Sequence, residues 1–303
     1  MVHPDWQQIL QSGLDLGLSQ KIITSGVGFH RLSAPDTDLM RRSLSDLFIS
    51  LDSADGPTHD RLRGVRGLYD RIMGYLDQSH RPAKVWLIHV PPPDWNGVEA
   101  VLELARAKSA GVLVQPLIFV SNFPDLPVIQ SCDDLRTRLP LLADQVAHRV
   151  AELTGLARTL GVPSNLDEVQ QYIRDYYRLA DGPTCFSGEA LPRFECTVPW
   201  QQITVDEFGQ VQPCVLLKGQ PVPTDGDPEE TWRAQALDFR AQIQGGQTWP
   251  ECRACCCHFG SNYRNSALTH PWSNRRGYMV LGRKWILNAW ARIQRGGLAR
   301  HVN

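Results

Sequence analysis

Four cysteines fall within six residues in the stretch ECRACCCHFG, which runs from Glu251 to Gly260. Cys252 and Cys255 form a CxxC pair, and Cys256 and Cys257 follow at once. Further upstream, Cys196 and Cys214 bracket an expected hairpin with seventeen residues between them. Two thiolates at a hairpin and two on a CxxC knuckle can converge tetrahedrally, as either zinc or an iron–sulfur cluster requires. Thiolate is a soft ligand that suits both. Cys256 and Cys257 are left over, because adjacent residues do not easily turn both thiols to one metal; they are either packing residues or substitute ligands if Cys255 points away. His258 is a minor alternative ligand, while His270 and His301 have no ligand spacing. Spacing gives Cys132 and Cys185 no role.

The bulk of the chain is consistent with chemistry in a packed protein. It has 303 residues, 42% hydrophobic and 21% charged, with a net charge of −1. That is enough chain for one large domain and a smaller one. The balance gives the whole protein no bulk attraction to nucleic acid or membrane. From Cys252 onward, however, nine Lys or Arg occur with no Asp or Glu. There is no charged leader with a long apolar run, and no stretch of about 18 apolar residues. A cytoplasmic location is expected, and disulfides do not persist there. Eight cysteines in that setting point to metal, cluster or redox use.

The elements that must position these residues alternate in the front half. Lys21 to Ser25, Asp46 to Asp52, Lys84 to Val90 and Val112 to Val120 are short apolar runs, suited to strands buried on both faces of a parallel sheet. Helical patterns lie between them at Trp6 to Leu16, Asp36 to Leu44, Thr58 to Asp77 and Gly97 to Ala110. This is βα repetition with right-handed crossovers. Asp133 to Leu160 reads as a long helix with one apolar face, with Pro140 as a kink or break. Leu166 to Leu179 reads as another. A hairpin is expected from Gln201 to Val205 and Gln210 to Gln212. Trp285, Ile286, Ala289, Trp290 and Ile293 share one face of a basic terminal helix. Docking on its own domain is favoured over a membrane surface or a partner.

The spacing Cys196-x12-Gly209-x4-Cys214, a gap, then Cys252-x2-Cys255 resembles the twitch form of the auxiliary-cluster domain of radical S-adenosylmethionine (SAM) enzymes. The longer SPASM form adds later cysteines. Here Ser261 stands six residues beyond Cys255, and no cysteine follows Cys257. The resemblance implies one auxiliary [4Fe-4S] cluster on Cys196, Cys214, Cys252 and Cys255. The front half resembles the same family. Thr24-Ser25-Gly26 looks like its third-strand turn. The run ISLDSADGPTHDRLRG looks like its fourth-strand motif and supplies Ser50, Asp52, His59, Asp60, Arg63 and Gly64. By that resemblance Ser25, Gly26, Ser50 and Arg63 contact SAM, with Ser50 and Arg63 at its carboxylate end.

Two family motifs are absent: no CxxxCxxC occurs, no cysteine precedes Cys132, and the Gly-Gly-Glu-Pro segment is missing. Met1-Val2-His3-Pro4-Asp5-Trp6 looks like the junction just after that segment. The expectation is an N-terminally truncated member, through a mis-called start, a split gene or a relic. The fold class implied is α/β: a partial (β/α)6 radical SAM barrel without its first two strands, then a small α+β cluster domain. The boundaries expected are 1–130 for the partial barrel and 131–182 for a helical connection. The cluster domain then spans 183–262, and the basic tail 263–303.

The function implied is that of an enzyme lineage using a 5′-deoxyadenosyl radical on a peptide, protein or small molecule, with an electron donor and no specific nucleic acid. SAM is the cofactor of a complete parent enzyme. No catalytic residue is assigned in this chain, which alone is expected not to cleave SAM. The alternative is a non-catalytic zinc- or cluster-bearing scaffold or recognition subunit. Protein purified without oxygen is expected to be brown, with about four irons per chain. Iron should fall in Ala variants of Cys196, Cys214, Cys252 and Cys255. Loss with Cys257→Ala but not Cys255→Ala overturns the ligand set, and a colourless protein with one zinc overturns the cluster.

Overall fold

The computed structural model describes residues 4–79, 81–82, 84–92, 94–115, 143–167, 169–170, 204–205, 210–212, 220–221 and 228–244. The chain divides into two units: Met1–Leu117 with Ser131–Pro183, and Ile118–Gln130 with Thr184–Asn303.

The first unit carries a four-stranded parallel sheet in the order β1-β2-β3-β4. Its strands are β1 (Gln20–Thr24), β2 (Leu44–Ser50), β3 (Val85–His89) and β4 (Gly111–Val114). Helix α1 (Trp6–Asp15) precedes β1, and α2 (Ala34–Ser43) links β1 to β2. Helices α3 (Gly56–Arg63) and α4 (Leu68–Leu76) link β2 to β3, and α5 (Val98–Ala107) links β3 to β4. The apolar runs of β2, β3 and β4 become the inner part of the sheet because their alternate or successive residues are shut away from water. Leu47, Ile49, Leu87 and Val112 have no exposed surface. Each such side chain contributes about 1.5–3 kcal/mol on burial. Helix α6 (Ala143–Leu160) seats Val146, Val150 and Leu153 in the core. It meets α5, where Arg149 pairs with Glu99.

The stretch expected as one helix from Thr58 to Asp77 is two. Gly64 and Gly67 sit at φ +66° and +71°, a left-handed conformation that ends α3 and starts α4. Asp60, on α3, then serves the first turn of α4. Its carboxylate accepts from the Tyr69 backbone N–H at 2.9 Å and from that of Gly67. Those backbone bonds hold the Asp60 carboxyl below its usual range. Helix α2 starts on a reciprocal cap between Ser33 and Asp36.

The two sheet edges differ. The outer edge of β4 is covered by residues 163–165. Val112 N–H donates to the Pro163 carbonyl at 2.9 Å. The Asn165 amide bonds both the N–H and the carbonyl of Val114, at 2.8 and 2.9 Å. Among the described residues, β1 pairs only with β2, and Ile23 on it is 71% exposed.

The second unit shows a three-stranded antiparallel sheet of β5 (Thr204–Val205), β6 (Gln210–Gln212) and β7 (Gln220–Pro221). Thr204 pairs with Gln212 and Val205 with Val211, at the hairpin expected from sequence. Helix α7 (Pro228–Gln244) packs on β6, with Val211 and Ala236 fully buried. Sequence reading passed over α7, although Pro228 followed by Glu229 and Glu230 is a helix-start signal.

Gly26, directly after β1, has φ +79°, and a Cβ there would lie 2.8 Å from Ile72 Cγ1. Gly26→Ala should therefore destabilise the protein by about 1–3 kcal/mol, from backbone strain and a displaced core side chain. Chemical denaturation checks this, and an unchanged midpoint contradicts it.

Candidate functional site

In a parallel sheet all strands end on one side, so side chains just past those ends collect along one edge. The register fixes which ones do. Thr24 on β1 pairs with Ile49, and Ser50 on β2 pairs with Ile88. The turn Thr24-Ser25-Gly26, the end of β2 at Ser50 and the end of β3 at His89 therefore share that edge. Thr24 Oγ1 accepts from the Gly26 backbone N–H at 3.1 Å, which fixes the turn. Ser50 is half-buried, and its hydroxyl has no hydrogen bond among the described residues.

The backbone on both sides of Leu51 is held. Leu51 N–H donates to the Ile88 carbonyl at 2.8 Å, which extends the pairing of β2 with β3. The Leu51 carbonyl accepts from His89 Nδ1 at 3.0 Å. The Asp52 N–H donates to His59 Nδ1 at 3.2 Å. One peptide plane thus lies between two imidazoles, one brought by β3 and one by α3.

The Asp52 side chain is also held. Arg63 Nη2 donates to Asp52 Oδ1 at 2.7 Å, and Arg63 Nε lies 2.6 Å from Oδ2. The Nε hydrogen is off that line, so the second contact is an ion pair without a hydrogen bond. The pair is partly open, with 30% of the Arg63 side chain and 18% of the Asp52 side chain exposed. A guanidinium has five donors in a fixed fork. Asp52 takes the Nε–Nη2 side, which leaves the Nη1–Nη2 end of Arg63 for a second anion.

Both histidines are buried, and the cause of each shift is plain. Burial lowers the His59 pKa; Asp52 and Asp60 oppose this, and Arg63 adds to it. Burial also lowers that of His89, against its bond to the Leu51 carbonyl and the Asp52 charge. Each ring's Nε2 is buried without a partner. His59 also meets the Tyr69 ring edge-on, with centroids 6.2 Å apart.

Of the residues read from sequence, Ser25, Gly26 and Ser50 lie along this edge, and Arg63 joins it through Asp52. His59 and Asp60 take separate tasks: one grips the peptide, the other caps α4. His89 was missed; the signal was a histidine closing the apolar strand KVWLIHV. Cys196, Cys214, Cys252, Cys255, Cys256 and Cys257 lie outside the described residues. No cluster of three or more metal-ligating side chains occurs among the described residues. No helix among them is long and apolar enough to cross a membrane.

No family model matches the sequence, and no curated protein matches it. The fold does have a solved counterpart. The crystal structure of SuiB from Streptococcus suis, a radical SAM enzyme, aligns with a TM-score of 0.51. Identity is 14%, over 86% of this chain and 60% of that one. The chain has a radical SAM-like fold. A second structure of SuiB, bound to S-adenosylmethionine, aligns at a TM-score of 0.48 and 13% identity, over 86% of this chain and 59% of that one. At such identities the likeness is one of fold, and this chain spans about 60% of the length of SuiB. The strand ends described above lie at the carboxyl edge of a parallel sheet, the side on which ligands commonly bind in open β/α folds.

Two neutral buried imidazoles make stability depend on pH. The unfolded chain takes up protons near pH 6.5, the ordinary histidine value, while the folded rings hold out to lower pH. Stability should therefore be full above about pH 6.5 and fall as pH drops below it, by at most about 1.4 kcal/mol per pH unit for each ring. Denaturant midpoints between pH 7.5 and 5 check this. A midpoint that rises as pH falls, or that loses no slope in the His59→Asn/His89→Asn variant, contradicts it.

Proposed function

We propose that the chain is the SAM-receiving and auxiliary-cluster portion of a radical SAM/SPASM-family protein, of a lineage that modifies a peptide, protein or small molecule. The observation that carries this reading is the carboxyl edge of the parallel sheet. There the Ser50 hydroxyl, which has no hydrogen bond among the described residues, shares the edge with the Thr24-Ser25-Gly26 turn, and Asp52 just beyond it holds Arg63 by one side of its guanidinium. That donor set fits a ligand with a carboxylate at one end, because a guanidinium end and a hydroxyl both donate to carboxylate oxygens. The SuiB-like fold supports the same assignment.

In this reading Arg63 binds and orients the carboxylate, while Asp52 keeps the guanidinium from turning away. Ser50 donates to the same group, and the Gly26 turn lets the backbone come close to the ligand. When bound, SAM and a reduced cluster supply one-electron chemistry. Cys196, Cys214, Cys252 and Cys255 would supply four thiolates to hold an auxiliary [4Fe-4S] cluster, which would serve in substrate binding or electron relay. In such a lineage initiation uses a CxxxCxxC segment, a pattern that does not occur in these 303 residues. A peptide or protein is the substrate class proposed, with an electron donor as partner and the cytoplasm as location.

One observation favours a second reading, that of a non-catalytic cluster- or zinc-bearing recognition subunit: no cysteine precedes Cys132. Calorimetry under anaerobic conditions separates the two. The first reading expects the chain to bind S-adenosylmethionine, and expects Ser50→Ala and Arg63→Ala each to weaken it by about tenfold or more, the worth of one lost charge-assisted bond. No binding by the wild type, or equal binding by both variants, favours the second. Cleavage of SAM by this chain alone overturns the reading that initiation needs a CxxxCxxC segment.

A further inference from the structure

We infer that His59 and His89 are positioning residues, neutral rings in opposite tautomers, which together fix the Leu51–Asp52 peptide and through Asp52 set the direction of Arg63. The hydrogen-bond roles require this. The Asp52 N–H can only donate, so His59 Nδ1 carries a lone pair and the ring proton sits on Nε2. The Leu51 carbonyl can only accept, so His89 Nδ1 carries the proton and its Nε2 is bare. One ring grips the N–H of the peptide and the other its C=O. Rotation of that plane would break both bonds at once, while the preceding peptide stays fixed by the Leu51 N–H bond to the Ile88 carbonyl.

The grip depends on charge state. A proton on His59 turns its acceptor into a donor facing the Asp52 N–H. A proton on His89 adds a second donor at a buried Nε2 that has no partner. The groups facing His59 are Asp52, Asp60, Arg63 and Tyr69. Those facing His89 are the Leu51 carbonyl and Asp52. Asp52 is common to both rings and holds Arg63, so uptake of a proton by either ring is felt at the guanidinium.

The importance of the device rests on Arg63 as the carboxylate-binding residue. Its test does not require S-adenosylmethionine, so the inference and that reading fail separately. Nitrogen-15 NMR of the histidine-labelled full chain reports each ring's tautomer at pH 7.5. A titration to pH 5 then follows the Asp52 amide and the Arg63 Nε signals.

The expected result is His59 protonated at Nε2 and His89 at Nδ1, with the Asp52 and Arg63 signals moving together with the rings. An asparagine amide can occupy the place of Nδ1 in either role without titrating. His59→Asn/His89→Asn should therefore hold both signals at their pH 7.5 positions down to pH 5. His59→Leu should speed exchange of the Asp52 amide at least tenfold, and if that variant does not fold, the wild-type titration still decides. The same tautomer in both rings overturns the inference. So do Asp52 and Arg63 signals that stay fixed while the rings titrate.

Discussion

The carboxyl edge of the sheet depends on one peptide plane, that between Leu51 and Asp52. A strand that stops leaves polar backbone groups that still need partners. Each such group left unpaired and buried costs about 1–3 kcal/mol. Here the carbonyl and the N–H each meet an imidazole, from β3 and from α3. The requirement then spreads outward. Helix α3 must end in time for Arg63 to reach back eleven residues to Asp52, and Gly64 ends it. Helix α4 must start at once, and Asp60 supplies the acceptors for its first turn. Three residues of one short helix, His59, Asp60 and Arg63, thus hold the strand end, the next helix and a cation.

This arrangement makes Arg63 suitable for binding. A free arginine side chain loses about 2 kcal/mol of rotamer freedom when it is fixed. Asp52 has already fixed one side of the fork, so an incoming anion meets a cation that is oriented beforehand. An ion pair this exposed adds little to stability by itself. Its value lies in direction.

Much of this was legible in the sequence, and the parts that were not have identifiable reasons. The four strands could be read because continuous apolar runs have one physical use in a chain of this composition. The splitting of α3 from α4 was hidden because a helical hydrophobic pattern runs through Gly64 and Gly67, and only their positive φ angles break it. Ser50 and Arg63 were singled out through resemblance; that Arg63 faces Asp52 could not be known before α3 was placed. His89 carried almost no signal. Its partner lies 38 residues away, and the meaning of an imidazole is set by which of its nitrogens meets what.

The central claim is that the edge built around Asp52 receives the carboxylate end of SAM. A crystal structure of the anaerobically prepared chain with S-adenosylmethionine tests it most directly. The account predicts the ligand carboxylate on the free end of Arg63 and within hydrogen-bond distance of Ser50 Oγ, with the Asp52–Arg63 pair and both imidazole bonds intact. Ligand bound elsewhere on the chain, or bound at this edge only after Asp52 has been displaced from Arg63, would contradict it.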